Sequence, residues 1–369
     1  MATIYSNPRT DEYEILHDAY YGSGMFASGA AITPHRREGA DSIKFRRQIA
    51  YYLNYTGPIL NASVDPIFKD EIKREYSKSV LFDEFINDVD REGTTLQEFT
   101  RQNATLAKLY GVMYIVVDNV TEFGNSLADT LANRSMPYIT AVEPKNVMNF
   151  TFDDNGRLSV FTYATYLANA DGTVKTHYHT WTPTSWNIKD GDGKTIGEGT
   201  HNIGRIPIVQ WFGRAARKRD ILPPPEYLSI AKTNAHVYNL CSLLSQILYN
   251  QTFSILTIPV DSNGLSDVTI GTDNLLAYPH DSARAPDFIA PDKGPAEVLM
   301  AQIDKLINEM YRMSGIDSVI GVQQAKSGVA KQWDFERTNQ RLSDFAVQCE
   351  NAEYDIIVLY KLWSGDNIE

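Results

Sequence analysis

The chain has 369 residues, of which 43% are hydrophobic and 22% are charged, so it can bury a sizeable core and fold into two or three domains. Its formal net charge is −12, whereas a domain that grips nucleic acid tightly carries a basic surface. This balance argues against a conventional nucleic-acid-binding domain. It leaves room for a protein that touches nucleic acid without holding it.

The cysteines and the N-terminal sequence indicate a reducing compartment. Cys241 and Cys349 are far apart and each lies inside a predicted helix, so we expect neither a disulfide nor a zinc site. The first residues, MATIYSNPRTDEYE, lack the basic and apolar runs of a signal peptide, and no stretch approaches the roughly 20 apolar residues of a membrane helix. We therefore expect a soluble protein with no membrane partner.

The first 110 residues favour helices. Apolar residues recur at helical spacing over residues 42–73, 80–89 and 94–110. Gly57 and Pro58 interrupt the first run, and this pair predicts a sharp break between two helices. The last run begins at a capping threonine, Thr94 or Thr95, and ends at Gly111.

Residues 111–212 favour β structure. β-branched and aromatic residues dominate residues 111–119, and the pattern continues to the stretch GRIPIVQWFG. NADGT at residues 169–173 and KDGDGKT at residues 189–195 are turn sequences, the first placed as in a hairpin. We predict one mixed or antiparallel sheet over this range.

A basic cluster and a long neutral helix follow. RAARKR at residues 214–219 precedes three prolines and a helix predicted over residues 226–253. Beyond Lys232 this helix has no charged residue before Asp261, although it carries Asn, Ser and Gln side chains. It is too polar for a bilayer and too poor in charge for a solvated surface, which predicts packing against copies of itself.

The last third of the chain alternates helices with less regular segments. Residues 254–294 contain two strand-like stretches, SILTIPV and NLLAYP, among Gly, Pro and Asp turns. An amphipathic helix is predicted over residues 296–313. The small, uncharged or lightly basic segment GVQQAKSG then precedes a charged helix predicted over residues 329–363.

The sequence contains no recognisable catalytic motif. His177 and His179 share one face of a predicted strand, as a metal pair requires, but no third ligand stands at a suitable spacing, so we interpret them as a strand surface. Nucleophile elbows, phosphate-binding lysine loops and zinc-ligand spacings are absent, so we expect neither an enzyme nor a cofactor. The basic cluster is a solvated face, a contact between subunits or a phosphate-facing group: Arg214, Arg217, Lys218 and Arg219.

The order of elements, with six sequence stretches, resembles the portal proteins of tailed bacteriophages, the ring at the unique vertex of the capsid. The six stretches are RRQIAYYLNYTGPILNASVDPIF (46–68), YGVMYIVVDN (110–119), VEPKNVMNF (142–150), GRIPIV (204–209), LLAYPHDSARAPDFIAP (275–291) and SGVAKQWDFE (327–336). Together they span most of the chain. The resemblance implies an α+β protomer with a wing, a two-helix stem, a small clip and a long C-terminal helix.

The resemblance also implies a place for each region. Residues 1–218 would form the wing, residues 219–253 and 295–313 the two stem helices, and residues 254–294 the clip. Residues 314–328 would be the tunnel loop, and the residues implied at the DNA channel are Gln323, Gln324, Lys326, Ser327 and Lys331. Residues 329–369 would form the long helix returning to the wing, with the crown of the family minimal or missing.

The implied function is passage of double-stranded DNA through a homo-oligomeric ring of twelve copies, without sequence-specific contact. The implied partners are the terminase large subunit, adaptor and tail proteins, and the major capsid and scaffolding proteins. The protein would lie at the portal vertex of the virion, and in the host cytoplasm during assembly. An acidic ring with sparse basic contacts suits this role, because each contact with a phosphate must break as the duplex moves.

Two other interpretations stay open from the sequence. Another phage connector or minor capsid protein would form a similar ring, but only a portal would dock the packaging ATPase through residues 254–294. An unrecognised enzyme would use His177 and His179, and a bound zinc, iron or manganese ion would then be expected.

Overall fold

The computed structural model describes residues 7–120, 126–169, 171–251, 255–260, 275–279, 287–289, 292–315 and 328–368. The chain forms two compact units. Unit 1 contains Met1–His17, Thr56–Ser229 and Ser314–Glu369, and unit 2 contains Asp18–Tyr55 and Ile230–Met313. Helices occur together with mainly antiparallel sheets, which confirms the predicted α+β class.

Ten α-helices occur in the described residues. They are α1 (Thr10–Tyr21), α2 (Gly24–Ala27), α3 (Ala40–Ile49), α4 (Thr56–Asn61), α5 (Val80–Asn87), α6 (Leu96–Tyr110), α7 (Leu127–Ala132), α8 (Leu228–Gln251), α9 (Gly294–Ser314) and α10 (Gly328–Ser364). None of these helices combines the length and the apolar character needed to cross a membrane.

The strands of the described residues form three sheets. The strands are β1 (Val112–Asp118), β2 (Tyr138–Val142), β3 (Val147–Phe152), β4 (Leu158–Ala168), β5 (Val174–Trp181), β6 (Ser185–Lys189), β7 (Thr195–Thr200), β8 (Ile208–Phe212), β9 (Ile255–Val260), β10 (Leu275–Pro279) and β11 (Asp287–Ile289). Sheet A has the order β2-β1-β8 and sheet B the order β3-β4-β5-β6-β7, and both are antiparallel. In sheet C, β9 pairs with β10 in parallel and with β11 in antiparallel orientation.

Local sequence signals set both ends of α6. The Thr95 hydroxyl accepts a hydrogen bond from the Glu98 amide at 3.2 Å, and the Glu98 carboxylate accepts one from the Thr95 amide at 3.1 Å. Gly111 ends the helix with φ +86°, a left-handed conformation that favours glycine, and β1 begins at the next residue. The predicted threonine cap and glycine stop of this helix are confirmed.

The predicted break at Gly57 and Pro58 is wrong. Both residues lie in the first turn of α4, where the missing N–H of proline costs nothing because that position has no acceptor within the helix. The helices separate earlier, at residues 50–55. The predicted continuation to residue 73 is also wrong, since α4 ends at Asn61 and residues 71–79 have no regular structure.

The single sheet predicted for residues 111–212 is two sheets. Sheet A contains strands that are distant in the sequence, because β8 pairs with β1 and places Phe212 opposite Val112. Sheet B is a meander of neighbouring strands, and the two predicted turns are confirmed. The Asn169 amide donates to the Thr173 carbonyl at 2.8 Å, and the Asp190 amide donates to the Lys194 carbonyl at 2.9 Å.

Sheets A and B of unit 1 share one hydrophobic core. Its buried side chains come from both sheets and from the loops that follow β7 and β8: Val112, Tyr114, Val116, Val142, Val147, Phe161, Tyr163, Trp181, Ile206, Phe212 and Ile221. Each fully buried apolar side chain stabilises the fold by about 1.5–3 kcal/mol. Trp363, near the end of α10, packs on this core and donates from Nε1 to the Val117 carbonyl at 2.7 Å.

In unit 2, polar side chains of α8 bind neighbouring elements of the same unit. Asn234 is fully buried, accepts a hydrogen bond from the Tyr52 hydroxyl at 2.9 Å and donates to the Leu53 carbonyl at 2.9 Å. Gln246 donates to the Ser42 hydroxyl at 2.8 Å. These groups, which the sequence suggested for contacts between copies, are therefore used inside the protomer. The exposed positions near the end of α8 include the apolar residues Leu248 and Tyr249.

Candidate functional site

The basic cluster at residues 214–219 follows β8 and is exposed to solvent. Arg217 pairs with Asp220 at 3.3 Å and Lys218 pairs with Asp355 at 3.2 Å, and both cationic side chains are at least 80% exposed. Exposed pairs of this kind contribute about 0–1 kcal/mol to stability, and each carboxylate partner offsets one positive charge of the cluster. Arg219 lies against Gly156 in the turn before β4, and no acidic partner is found for Arg214 among the described residues.

A buried junction fixes the start of the cluster. Gly213 donates its amide to the Gly111 carbonyl at 2.9 Å and lies so close to α6 that a Cβ atom there would meet the Ala107 carbonyl oxygen at 2.3 Å. The ammonium group of Lys108 donates to the Gly213 carbonyl at 3.2 Å and to Glu226 at 2.9 Å. This junction could not be predicted from the sequence, because its three segments are distant in the chain.

The predicted channel residues Gln323, Gln324, Lys326 and Ser327 lie outside the described residues, and Lys331 lies in the first turn of α10. The structure does describe the residues just before this segment. At the end of α9, the Ser314 carbonyl accepts a hydrogen bond from Arg341, and the Gly315 carbonyl accepts one from the Thr338 hydroxyl at 3.3 Å. Both donors belong to α10, so the start of the predicted tunnel loop is attached to the helix that follows it.

His177 and His179 lie on one face of β5, as predicted, opposite Thr165 and Tyr163 of β4. The His179 ring stacks on Tyr163 with 4.9 Å between centroids, and its Nε2 lies 3.0 Å from the Thr165 hydroxyl. Burial, with a smaller effect of His177, lowers the pKa of His179 to about 4, so the ring is neutral near pH 7. No cluster of three metal-ligating side chains occurs in the described part of the chain.

These histidines line a cleft between sheets A and B, which we name the inter-sheet cleft. It has a volume of about 510 Å³, and its walls include Val116, Asp118, Tyr138, Thr165, His179 and Ile188. The Asp118 carboxylate accepts hydrogen bonds from the Tyr138 hydroxyl at 2.8 Å and from the Asn119 amide at 2.7 Å. Burial raises the pKa of Asp118, although these two hydrogen bonds act in the opposite direction.

Sequence reasoning found the two histidines of this cleft but not Asp118 or Tyr138. Asp118 ends β1 and Tyr138 begins β2, and the register between those strands brings the two side chains together. The sequence carried one usable signal, an aspartate at the end of an otherwise apolar strand.

None of the protein-family models searched matches the chain, and no curated protein matches it.

Proposed function

We propose that this protein is the subunit of a phage portal ring, through which double-stranded DNA is packaged and later ejected. The observation that carries the proposal is the order of elements along the chain. The 24-residue α8 is followed by the strands β9 to β11, the 21-residue α9, residues 316–327 and the 37-residue α10. That order is the one implied by the resemblance to portal proteins.

The surface of α8 and α9 supports assembly into a ring. From Thr233 to Gln251, α8 carries no charged residue, and Leu248 and Tyr249 are 50% and 58% exposed. On α9, Val298 is 69% exposed and Met300 is 45% exposed. Exposed apolar side chains on both helices favour a protein contact, and in a ring the adjacent copies provide it.

The charge pattern suits a channel that DNA moves through. In the basic cluster, Arg217 and Lys218 already have acidic partners, and the chain as a whole has a formal net charge of −12. Each basic contact with a phosphate adds to DNA affinity and must break when the duplex advances. A ring built from such subunits would meet DNA through few unpaired cations and would let it slide.

In this proposal, residues 1–218 form the wing, residues 219–253 and 295–313 the stem and residues 254–294 the clip. Residues 314–328 are the tunnel loop, and residues 329–369 return to the wing. Arg341 and Thr338 are then positioning residues, since they hold the carbonyl groups at the start of the loop. The ring docks the terminase large subunit during packaging and head-completion and tail proteins afterwards.

Negative-stain electron microscopy of the purified chain tests the proposal. We expect closed rings with a central hole. A stable monomer at micromolar concentration, with no tendency to assemble, would contradict it. Binding of the terminase large subunit separates a portal from another connector, because replacing residues 254–294 with a short linker should abolish binding and leave the ring intact.

A further inference from the structure

Unit 1 contains an apolar groove beside α10, which we name the α10 groove. It has a volume of about 630 Å³, within the range of ligand-binding sites. One wall is α10 from Ala346 to Lys361, a length of about 22 Å at 1.5 Å per residue, and the opposite wall includes residues 72–76. The groove is open to solvent at Lys73 and Tyr354, which are both exposed. Most of its lining is apolar and includes Ile67, Phe68, Ile72, Ala346, Ile357 and Val358.

The segment opposite α10 has the pattern of an extended strand. Residues 71–79 contain no helix, turn or bend, and exposed residues alternate with half-buried ones over residues 71–77. The half-buried Arg74 attaches the segment to α10, since it donates to the Glu353 carboxylate at 2.5 and 2.9 Å. At 3.3 Å per residue, residues 71–77 span about 20 Å, which matches the length of the α10 wall.

This extended segment has no partner strand among the described residues. From residue 71 to residue 76, its backbone makes no hydrogen bond within the part of the chain that the structure describes. Residues 72–76 all line the groove, although the side chains of successive strand residues point to opposite faces. Consecutive residues of a strand border a groove only when the edge of the strand, which carries the N–H and C=O groups, is turned towards it. The α10 groove thus combines an apolar floor with a row of unpaired backbone donors and acceptors.

We propose that the α10 groove binds an extended segment of a different protein, which pairs with residues 71–77 as an added strand. In this mode of recognition, main-chain hydrogen bonds provide affinity and pockets for alternate side chains provide specificity. The bound segment would carry an apolar side chain at every second position, because the floor of the groove is apolar. A small apolar molecule would leave the backbone groups of residues 71–77 unpaired and would fill only part of the groove.

The bound segment belongs to a different protein because the proposed contacts between copies lie elsewhere. The ring uses exposed apolar residues of unit 2: Leu248, Tyr249, Val298 and Met300. Every residue that lines the α10 groove belongs to unit 1. The groove therefore stays available after assembly. In this respect the inference rests on the proposed function, whereas strand addition itself does not require a ring.

Peptide binding to the full chain, measured by fluorescence anisotropy, tests the proposal. The probes are labelled synthetic peptides of about seven residues, in which valine, leucine or phenylalanine alternates with threonine or lysine. We expect the best of them to bind with a dissociation constant on the order of 10–100 μM. Successive N–H groups of a strand point to opposite edges, so N-methylation of one alternate set of amides should weaken binding by at least about tenfold and N-methylation of the other set by less than about threefold. No binding at about 1 mM peptide, or equal effects of the two methylations, would overturn the inference.

Hydrogen–deuterium exchange of the full chain locates the bound peptide. Because the backbone amides of residues 71–76 lack hydrogen bonds within the described part of the chain, they should exchange rapidly in the protein alone. Saturating peptide should slow their exchange by at least about tenfold. Protection only in other segments would overturn the inference. Slow exchange of residues 71–76 in the protein alone would also overturn it, since a second copy would then occupy the groove.

Two serine substitutions on α10 separate the groove from the rest of the helix. Tyr354 lines the groove and is 67% exposed, whereas Val347 is 46% exposed and is not part of the lining. Tyr354→Ser should weaken peptide binding by about threefold to tenfold, and Val347→Ser should change it by less than about twofold. Equal effects would place the peptide outside the groove and overturn the inference. Peptide binding by a chain that stays monomeric would support the inference and contradict the ring, and rings that bind no peptide would do the reverse.

Discussion

Replacing Arg46 with methionine should destabilise unit 2 strongly. Arg46 lies on α3 and is fully buried. Its guanidinium uses all five N–H groups, two of them to the Glu38 carboxylate at 3.0 and 2.8 Å. The other three donate to the Thr33 carbonyl, the Ser242 hydroxyl and the Asn239 side chain at 2.8, 3.0 and 3.3 Å. This one side chain therefore joins α3 and the loop before it to α8.

The expected loss follows from the charge that would remain. The Glu38 side chain is only 7% exposed, and removing one partner of a buried ion pair costs about 3–5 kcal/mol because the other charge is left uncompensated. We expect Arg46→Met to lower the free energy of unfolding by about 4 kcal/mol. When Glu38→Gln removes the remaining charge as well, the loss should be smaller by about 1–2 kcal/mol. Lys44→Met, at an exposed position on the same helix, should change stability by less than about 0.5 kcal/mol.

Urea denaturation at several pH values measures these differences. In the native protein, burial raises the pKa of Glu38, but hydrogen bonds from the His35 amide and Arg46 outweigh this effect and lower it below 4.5. The pair therefore stabilises the fold above pH 4.5, and the contribution is lost as the pH falls through the folded pKa. The difference in unfolding free energy between wild type and Arg46→Met should therefore become smaller as the pH falls below 4.5. If Arg46→Met lowered the free energy of unfolding by less than about 1 kcal/mol at pH 7, the reasoning would be refuted. It would also be refuted if the double variant with Glu38→Gln were less stable than Arg46→Met alone.

Three further predictions concern unit 1 and the loop. Because burial lowers the pKa of His179 from 6.5 to about 4, unit 1 should lose stability as the pH falls from 6.5 towards 4, by at most about 3 kcal/mol and by less after solvent screening. In urea denaturation at several pH values, His179→Gln should reduce this pH dependence of the unfolding free energy. An unchanged pH profile would exclude His179 as its source. Gly213→Ala would place a Cβ atom 2.3 Å from a backbone oxygen of α6 and should lower the free energy of unfolding, measured by thermal denaturation, by more than about 2 kcal/mol. In the control Gly197→Ala the new Cβ atom would lie 3.4 Å from its nearest neighbour, so the loss should be less than about 1 kcal/mol. Equal losses in the two variants would reject the steric explanation. Deleting residues 323–328 should preserve ring assembly but impair DNA packaging or retention in a packaging assay, and unchanged packaging and retention would reject the channel role of that segment.

The parts of the fold that the sequence predicts correctly depend on neighbouring residues. The ends of α6 follow from Thr95 and Gly111, and the hairpin turn at residues 169–173 follows from its Asp-Gly pair. The error at Gly57 and Pro58 has a local cause as well. A proline breaks a helix interior but is tolerated in the first turn, and the sequence alone did not fix where α4 begins.

The parts that the sequence does not predict depend on distant pairing. Alternating residues indicate that β1 and β8 are strands, but not that Phe212 pairs with Val112 across 100 positions of the chain. The same limit applies to the sites. His177 and His179 are visible as a strand pair, whereas Asp118 joins them in one cleft only after two sheets pack face to face. The Lys108 and Glu226 pair likewise links α6 to the segment before α8.

The mass of the purified chain in solution, measured by native mass spectrometry with no other protein present, tests the central claim most directly. One chain has a mass of 41.5 kDa. A ring of twelve copies predicts a single dominant species of about 500 kDa that persists on dilution into the low micromolar range. A dominant species at 41.5 kDa under the same conditions would contradict the proposed ring.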